Sequence, residues 1–201
     1  MKKTIYKASN VNIKKAVDIL NESGVIAFPT ETVYGLGGDA SCESSIKKIY
    51  IIKNRPLHNP LIIHVASLEE AKMIGKLNNT AMKMAKAFWP GPLTLLVEKK
   101  RNNGITPAAT SNLDSIAIRV PSNPIILKIL NTFGKPIAAP SANLSGTVSA
   151  TNASHVFDDF GDDIEMILDG DKCAHGIEST IVDVRSENSQ IRREGASTKE
   201  P

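Results

Sequence analysis

The chain has 201 residues, 41% of them apolar and 22% charged, with a formal net charge of +3. That length and balance suit one folded domain with a sizeable core and exclude a disordered chain. The mild charge permits an anionic ligand without by itself announcing a nucleic-acid binder, and no apolar run nears the roughly 18 residues that a membrane span needs.

Met1-Lys2-Lys3 leads into no apolar leader core, so a signal peptide is not expected. Cys42 and Cys173 have neither metal-ligand spacing nor a disulfide framework, which suits reduced thiols in a cytoplasmic protein. In chain order, Asn12 is expected to cap a helix whose face is built from Ile13, Ala16, Val17, Ile19 and Leu20, with Gly24 closing it. Residues 25–28 form a short apolar strand stopped by Pro29. Ile46, Ile49, Tyr50 and Ile52 predict a second helix between Cys42 and Asn54, closed by Pro56. Residues 61–65 are the next strand, and Ser67 with Glu70 makes a capping box for the helix that follows.

Another helix is predicted over 80–88, ending at Trp89-Pro90-Gly91-Pro92. Strands over 93–98 and 115–120 flank a polar loop, and Asn123-Pro124 opens a helix through Phe133. Ile137-Ala138-Ala139 leads directly into a loop at Ser141. A weakly patterned helix over 153–160 precedes apolar runs at 164–168, 180–184 and 190–193. This alternation predicts an α/β fold, a mixed sheet with flanking helices, whose strand order the pattern does not set.

Three polar, turn-rich runs sit beside these strands: residues 29–37, Lys53-Asn54-Arg55-Pro56 and Pro140-Ser141-Ala142-Asn143. Loops at strand ends are where a scaffold places working groups. If the first run stays extended, Thr30 and Thr32 present two hydroxyls to one side, and Gly35, Gly37 and Gly38 let backbone amides approach an anion. A strand-to-helix turn needing glycine explains the same run. Lys53 and Arg55 either complement a helix dipole or neutralise phosphate, with Asn59 adding an amide. His64, inside an apolar strand, is a hydrogen-bonded core residue or a ligand contact.

Ser141 and Asn143 form an ordinary turn or a phosphate contact at a strand's carboxyl end. Arg119, on a strand otherwise bound for the core and beginning at Ser115, requires a carboxylate from the protein or from a ligand. Ser179 and Arg193 occupy comparable strand-edge positions. The four histidines form no metal-ligand pattern with the cysteines, so no structural zinc is expected. Neither a P-loop nor a Rossmann glycine fingerprint opens a helix, and no hydrolase triad is evident.

The ordered motifs resemble the YrdC-type family of threonylcarbamoyl-adenylate synthases. They are F-P-T-E-T-V-Y-G-L-G at 28–37, K-N-R-P with N-P-L-I-I-H-V at 53–65 and W-P-G-P-L-T at 89–94. I-R-V-P at 118–121, A-P-S-A-N-L-S-G at 139–146 and E-S-T-I-V-D at 178–183 complete the set. The resemblance implies a twisted, open sheet with a positively lined central cleft, spanning 1–195 as one catalytic domain with a polar tail at 196–201. It implies that L-threonine, bicarbonate and ATP, the last with Mg²⁺ and no organic cofactor, give threonylcarbamoyl-AMP and pyrophosphate. That product feeds the machinery that modifies adenosine next to the tRNA anticodon.

By resemblance, Arg55, Asn59, Ser115, Ser141, Ser149 and Arg193 contact ATP, while Thr32, His64, Arg119 and Ser179 hold threonine. Lys53, Arg55, Ser141 and Asn143 form the catalytic polar cluster, and the protein ligands of the metal are left open. Alanine at Lys53 or Arg55 is expected to cripple turnover without unfolding the chain. Glu194 stands where relatives usually carry proline. The chain resembles the short single-domain form. The competing reading is a non-catalytic module of the same fold that binds double-stranded RNA.

Overall fold

A computed structural model describes residues 4–186 and 188–197. It begins with β1 (Ile5–Lys7), which the sequence pattern does not announce, and α1 (Asn10–Asn21). Ser9, not Asn12, caps α1: its hydroxyl accepts from the Asn12 amide at 3.3 Å. The left-handed residue that ends the helix is Ser23, at φ 61°, rather than Gly24. Gly24 is needed for space, because a Cβ there would lie 2.4 Å from the Ile19 side chain.

β2 (Ile26–Phe28) pairs antiparallel with β3 (Gly35–Asp39), so the glycine-rich run is a buried strand rather than a loop or a turn into a helix. Packing explains its glycines. A Cβ at Gly37 would stand 2.7 Å from both the Phe28 ring and Ile137, and one at Gly35 would meet the same ring at 2.8 Å. Close fit to Phe28 therefore accounts for glycine at these positions.

α2 (Glu43–Ile52) and β4 (Ile62–His64) follow as patterned. α3 (Leu68–Ile74) is capped by the Ser67 hydroxyl, while Glu70 reaches one residue further back than expected, to the Ala66 amide at 2.9 Å. Next come β5 (Gly75–Lys76), α4 (Asn79–Phe88), β6 (Leu93–Lys99) and β7 (Ser115–Arg119). α5 (Pro124–Phe133) starts at the Asn123 cap, and β8 (Ile137–Ala139) runs into the Ser141 loop. α6 (Ala153–Phe160), β9 (Met166–Asp169), β10 (Thr180–Asp183) and β11 (Gln190–Arg193) complete the order.

One open mixed sheet runs β1-β9-β2-β3-β8-β4-β7-β6-β10-β11, with β5 added beside β6. α1 and α5 bury Ile13, Val17, Leu20, Ile129 and Phe133 against Ile26, Phe28 and Leu168. The larger apolar layer includes Ile46 and Ile49 of α2, Ile63, Leu95, Ile116 and Ile118. Side chains alternate along a strand. The residues between those apolar positions, His64, Arg119 and Thr94, therefore face the opposite side. Parallel pairing sets His64 beside Arg119 and Ile62 beside Ala117. Of the expected tail at 196–201, the amide of Ala196 donates to the Glu178 carbonyl at 2.9 Å and that of Ser197 to Thr180 Oγ1 at 3.0 Å; residues 198–201 lie outside the described region.

Candidate active site

Ile62 and His64 of β4, Arg119 of β7 and Ile181 of β10 form the floor of a cleft of about 190 Å³, walled by the 30–35 turn, the Arg55 loop, the Ser141 loop and Arg193. Thr32, Arg55, His64, Arg119, Ser141, Ser179 and Arg193 all line it. The three polar runs that lie apart in sequence thus meet here.

Arg119 has its carboxylate partner within the protein. Nη2 donates to Glu31 Oε1 at 2.6 Å, Nη1 to Thr32 Oγ1 at 3.0 Å and Nε to the Gly91 carbonyl at 3.2 Å. A guanidinium carries five N–H donors, so the fork keeps some to offer a ligand. Burial would raise the Glu31 carboxyl, but the charge and hydrogen bond of Arg119 outweigh it and hold the acid below its ordinary range. Thr30 folds back to its own turn, donating to the Val33 carbonyl at 2.6 Å, and lies 2.8 Å from the Thr32 hydroxyl. The two threonines are thus hydrogen-bonded in a turn rather than spread along an extended strand.

His64 is buried, edge-on to Phe28, with Nδ1 3.2 Å from the Ile62 carbonyl. Burial, with the Arg119 charge nearby, pushes its pKa down to about 3, so the ring is neutral at physiological pH. It offers the cleft a hydrogen-bonding group without a second positive charge.

Lys53 lies behind the cleft rather than in it. It is 1% exposed, and Nζ donates to the Ser141 carbonyl at 2.6 Å and to the Asn143 carbonyl. Burial, reinforced by Arg55, lowers its pKa to about 8. The lysine therefore clamps the Ser141–Asn143 loop, so its removal is expected to bear on stability as well as on turnover. Asn143 donates its amide to the Leu144 and Thr147 carbonyls, both at 2.9 Å, while its buried Oδ1 has no hydrogen-bond partner among the described residues.

Arg55 is held by main-chain oxygens, Nε to Asn59 at 3.1 Å and Nη2 to Pro60 at 3.1 Å. Asn59 thus holds Arg55 through its carbonyl. Opposite, Arg193 Nη1 bonds Glu178, and its Nη2 donates to Ser179 Oγ at 3.0 Å. Ser179 Oγ also meets Thr94 Oγ1 at 2.8 Å, and Ser149 reaches the site by donating to Glu178 Oε1 at 3.0 Å. Ser115 is the outlier among the candidates. It shares the sheet face of Arg119 but begins β7, about 13 Å away at ~3.3 Å per residue, and borders a separate groove with Lys99 and Arg185.

Sequence reasoning missed the roles of Glu31, Glu178 and Thr94. Glu31 was signalled indirectly, since Arg119 required a carboxylate and Glu31 is the acid inside the first polar run. Nothing in spacing marks Glu178 or Thr94. Among the described residues no group of three or more His, Cys, Asp or Glu side chains is arranged to hold a metal, and no helix is long and apolar enough to cross a membrane.

Residues 18–195 match the family model Sua5_yciO_yrdC, described as "Telomere recombination". A threonylcarbamoyl-AMP synthase of Pyrococcus abyssi is 46% identical over 173 residues, covering 86% of this chain and 50% of the relative. The Bacillus subtilis protein of the same name is 43% identical over 189 residues, covering 94% and 54%. The crystal structure of P. abyssi Sua5 complexed with L-threonine superposes with a TM-score of 0.90 at 42% identity, covering 96% of this chain and 56% of that one. The chain thus spans about half the length of these relatives. With matching motifs, the same open sheet and this degree of identity, the chain belongs to the Sua5/YciO/YrdC family.

Proposed function

We propose that the chain is a nucleotidyltransferase that joins L-threonine, bicarbonate and ATP into threonylcarbamoyl-AMP, releasing pyrophosphate. The observation that carries this reading is one cleft that sets Arg119, Thr32 and His64 beside Arg55, Ser141 and Arg193. The names of the relatives, and the L-threonine bound to Sua5, support it. On this reading Arg119 receives the threonine carboxylate, already aligned by Glu31, and the hydroxyls of Thr32 and Ser179 read its side-chain oxygen. Arg55, Ser141 and Arg193 take the triphosphate. The cleft is smaller than the roughly 300–1,000 Å³ of typical small-molecule sites. It suits an amino acid and a phosphate head, with the nucleoside extending along the open sheet face toward Ser115.

The threonine amine, once deprotonated, attacks the carbon of bicarbonate, and water leaves to give the carbamate. A carbamate oxygen then attacks the α-phosphorus, and the bond to the pyrophosphate breaks. Alignment of these partners is worth on the order of 7–11 kcal/mol in a well-formed site. Arg55 and Arg193 offset the charge that builds on the leaving group. Mg²⁺ would come as a cation carried by ATP: the cleft offers hard oxygens at Ser141, Ser179 and Glu178, and among the described residues no carboxylate cluster is arranged to hold a metal by itself. When bound, it would supply further neutralisation of the phosphate oxygens. Valine, which lacks the hydroxyl, should be rejected strongly, because it leaves polar groups of the site unpaired.

The product would pass to the enzymes that modify tRNA, in the cytoplasm. The double-stranded RNA reading has weaker support. The cleft carries Glu178, and the surface lysines Lys72 and Lys76 are paired with Glu69 and Glu98. Pyrophosphate release from ATP that requires both L-threonine and bicarbonate is the expected result. Release independent of both, or none alongside salt-sensitive RNA binding, would overturn the proposal.

A further inference from the structure

Glu178 is the carboxylate that lines the cleft, in a wall otherwise carrying Arg55, Arg119 and Arg193. Its side chain is 32% exposed, so it faces the open space rather than the core. Both oxygens are engaged: Oε1 accepts from the Ser149 hydroxyl at 3.0 Å and Oε2 from Arg193 Nη1. Its backbone is fixed, since its carbonyl accepts from the Ala196 amide at 2.9 Å. The side chain alone is therefore able to swing. The Glu178 charge also favours the cationic forms of Lys53 and Arg55, so its field reaches across the cleft to the opposite wall.

We infer that Glu178 is a resident anion that holds Ser149 and Arg193, donors the triphosphate would use, and must be displaced when nucleotide binds. This rests on the synthase reading and adds to it a residue that sets nucleotide affinity and helps expel pyrophosphate. An arginine fork and a hydroxyl that accept a carboxylate present the same donors to a phosphate, so the two anions compete for one place. Before binding, the carboxylate keeps Arg193 ordered and compensated. After the α-phosphate has been transferred, its return replaces the pyrophosphate oxygens on Arg193 and Ser149. A metal-ligand role for Glu178 predicts the opposite effect of neutralising it, namely weaker binding.

The test is calorimetric binding of Mg²⁺-ATP and of inorganic pyrophosphate to the wild-type chain, Glu178→Gln and Glu178→Ala. A partly exposed carboxylate interacts weakly with its neighbours, so removing its charge should tighten both ligands by roughly three- to ten-fold. Pyrophosphate should also inhibit the variants at correspondingly lower concentration. Because Glu178 is not in the core, Glu178→Ala leaves no buried cavity, and a thermal midpoint checks that either variant is folded. Wild-type binding with unchanged or weaker binding in both variants overturns this inference alone. No binding of either ligand by the wild-type chain overturns the synthase reading, and this inference with it.

Discussion

Replacing Glu31 by glutamine tests how the Arg119 end of the cleft is built. Glu31 is 8% and Arg119 3% exposed, and their charged atoms lie 2.6 Å apart. Breaking a buried ion pair by removing one partner typically costs about 3–5 kcal/mol, because the other charge remains buried without compensation. Glutamine keeps one oxygen able to accept from Arg119, while its NH2 group replaces the oxygen that accepts the long 3.3 Å bond from the Asn123 amide, so the lower end, about 3 kcal/mol, is expected. For a chain of this size that corresponds to a fall in melting temperature of roughly 6–12 °C. The pH dependence adds a second check. The folded-state pKa of Glu31 lies below its unfolded value, so its contribution is present above the unfolded value near 4.3 and is lost as pH falls through the folded one. Urea unfolding at about pH 7 and about pH 3.5 should therefore show a wide gap between wild type and variant that narrows in acid. A loss below about 1 kcal/mol at neutral pH, or a gap indifferent to acid, would refute the reasoning. Pairing the change with Arg119→Met should recover part of the stability, while the threonine binding proposed for Arg119 stays lost.

Lys53→Met should lower stability by roughly 2–4 kcal/mol, since two buried carbonyls lose their donor, and should abolish turnover; a variant as stable as wild type would remove the clamp role. His64 has its folded pKa depressed to about 3, so between there and its unfolded value near 6.5 the unfolded chain binds more protons and stability falls as pH drops. That slope approaches ~1.4 kcal/mol per pH unit and should vanish in His64→Gln. An NMR titration showing His64 protonated near pH 6.5 would contradict it. Gly37→Ala should cost about 1–3 kcal/mol by forcing Phe28 or Ile137 aside, read by urea unfolding; a neutral effect would show that the strand yields freely.

Much of this fold is legible because its signals are local. Asn123-Pro124 fixes the start of α5, and the helical spacing of Ile46, Ile49 and Tyr50 fixes the face of α2. β3 is not legible in the same way. Glycine weakens a strand in isolation, and the reason for Gly37 is the Phe28 ring packed against it, a tertiary contact. The site divides along the same line. The need of Arg119 for a carboxylate follows from its strand, whereas the identity of that carboxylate depends on where the 30–35 turn lands. Lys53 appears in sequence as a cation at a helix end, complementing the helix dipole or neutralising phosphate. Only the fold folds the Ser141 loop over it and turns it into an internal clamp. The carbonyl by which Asn59 holds Arg55 is likewise invisible in the sequence.

Incubating the chain with ATP, L-threonine and isotopically labelled bicarbonate, followed by mass spectrometry of the adenylates, asks whether one cleft brings all three together. Threonylcarbamoyl-AMP carrying the label is the expected product, absent when any substrate is omitted and absent in Arg119→Ala and Arg55→Ala. No adenylate from a folded wild-type chain, or an adenylate of threonine without the labelled carbon, would contradict that expectation.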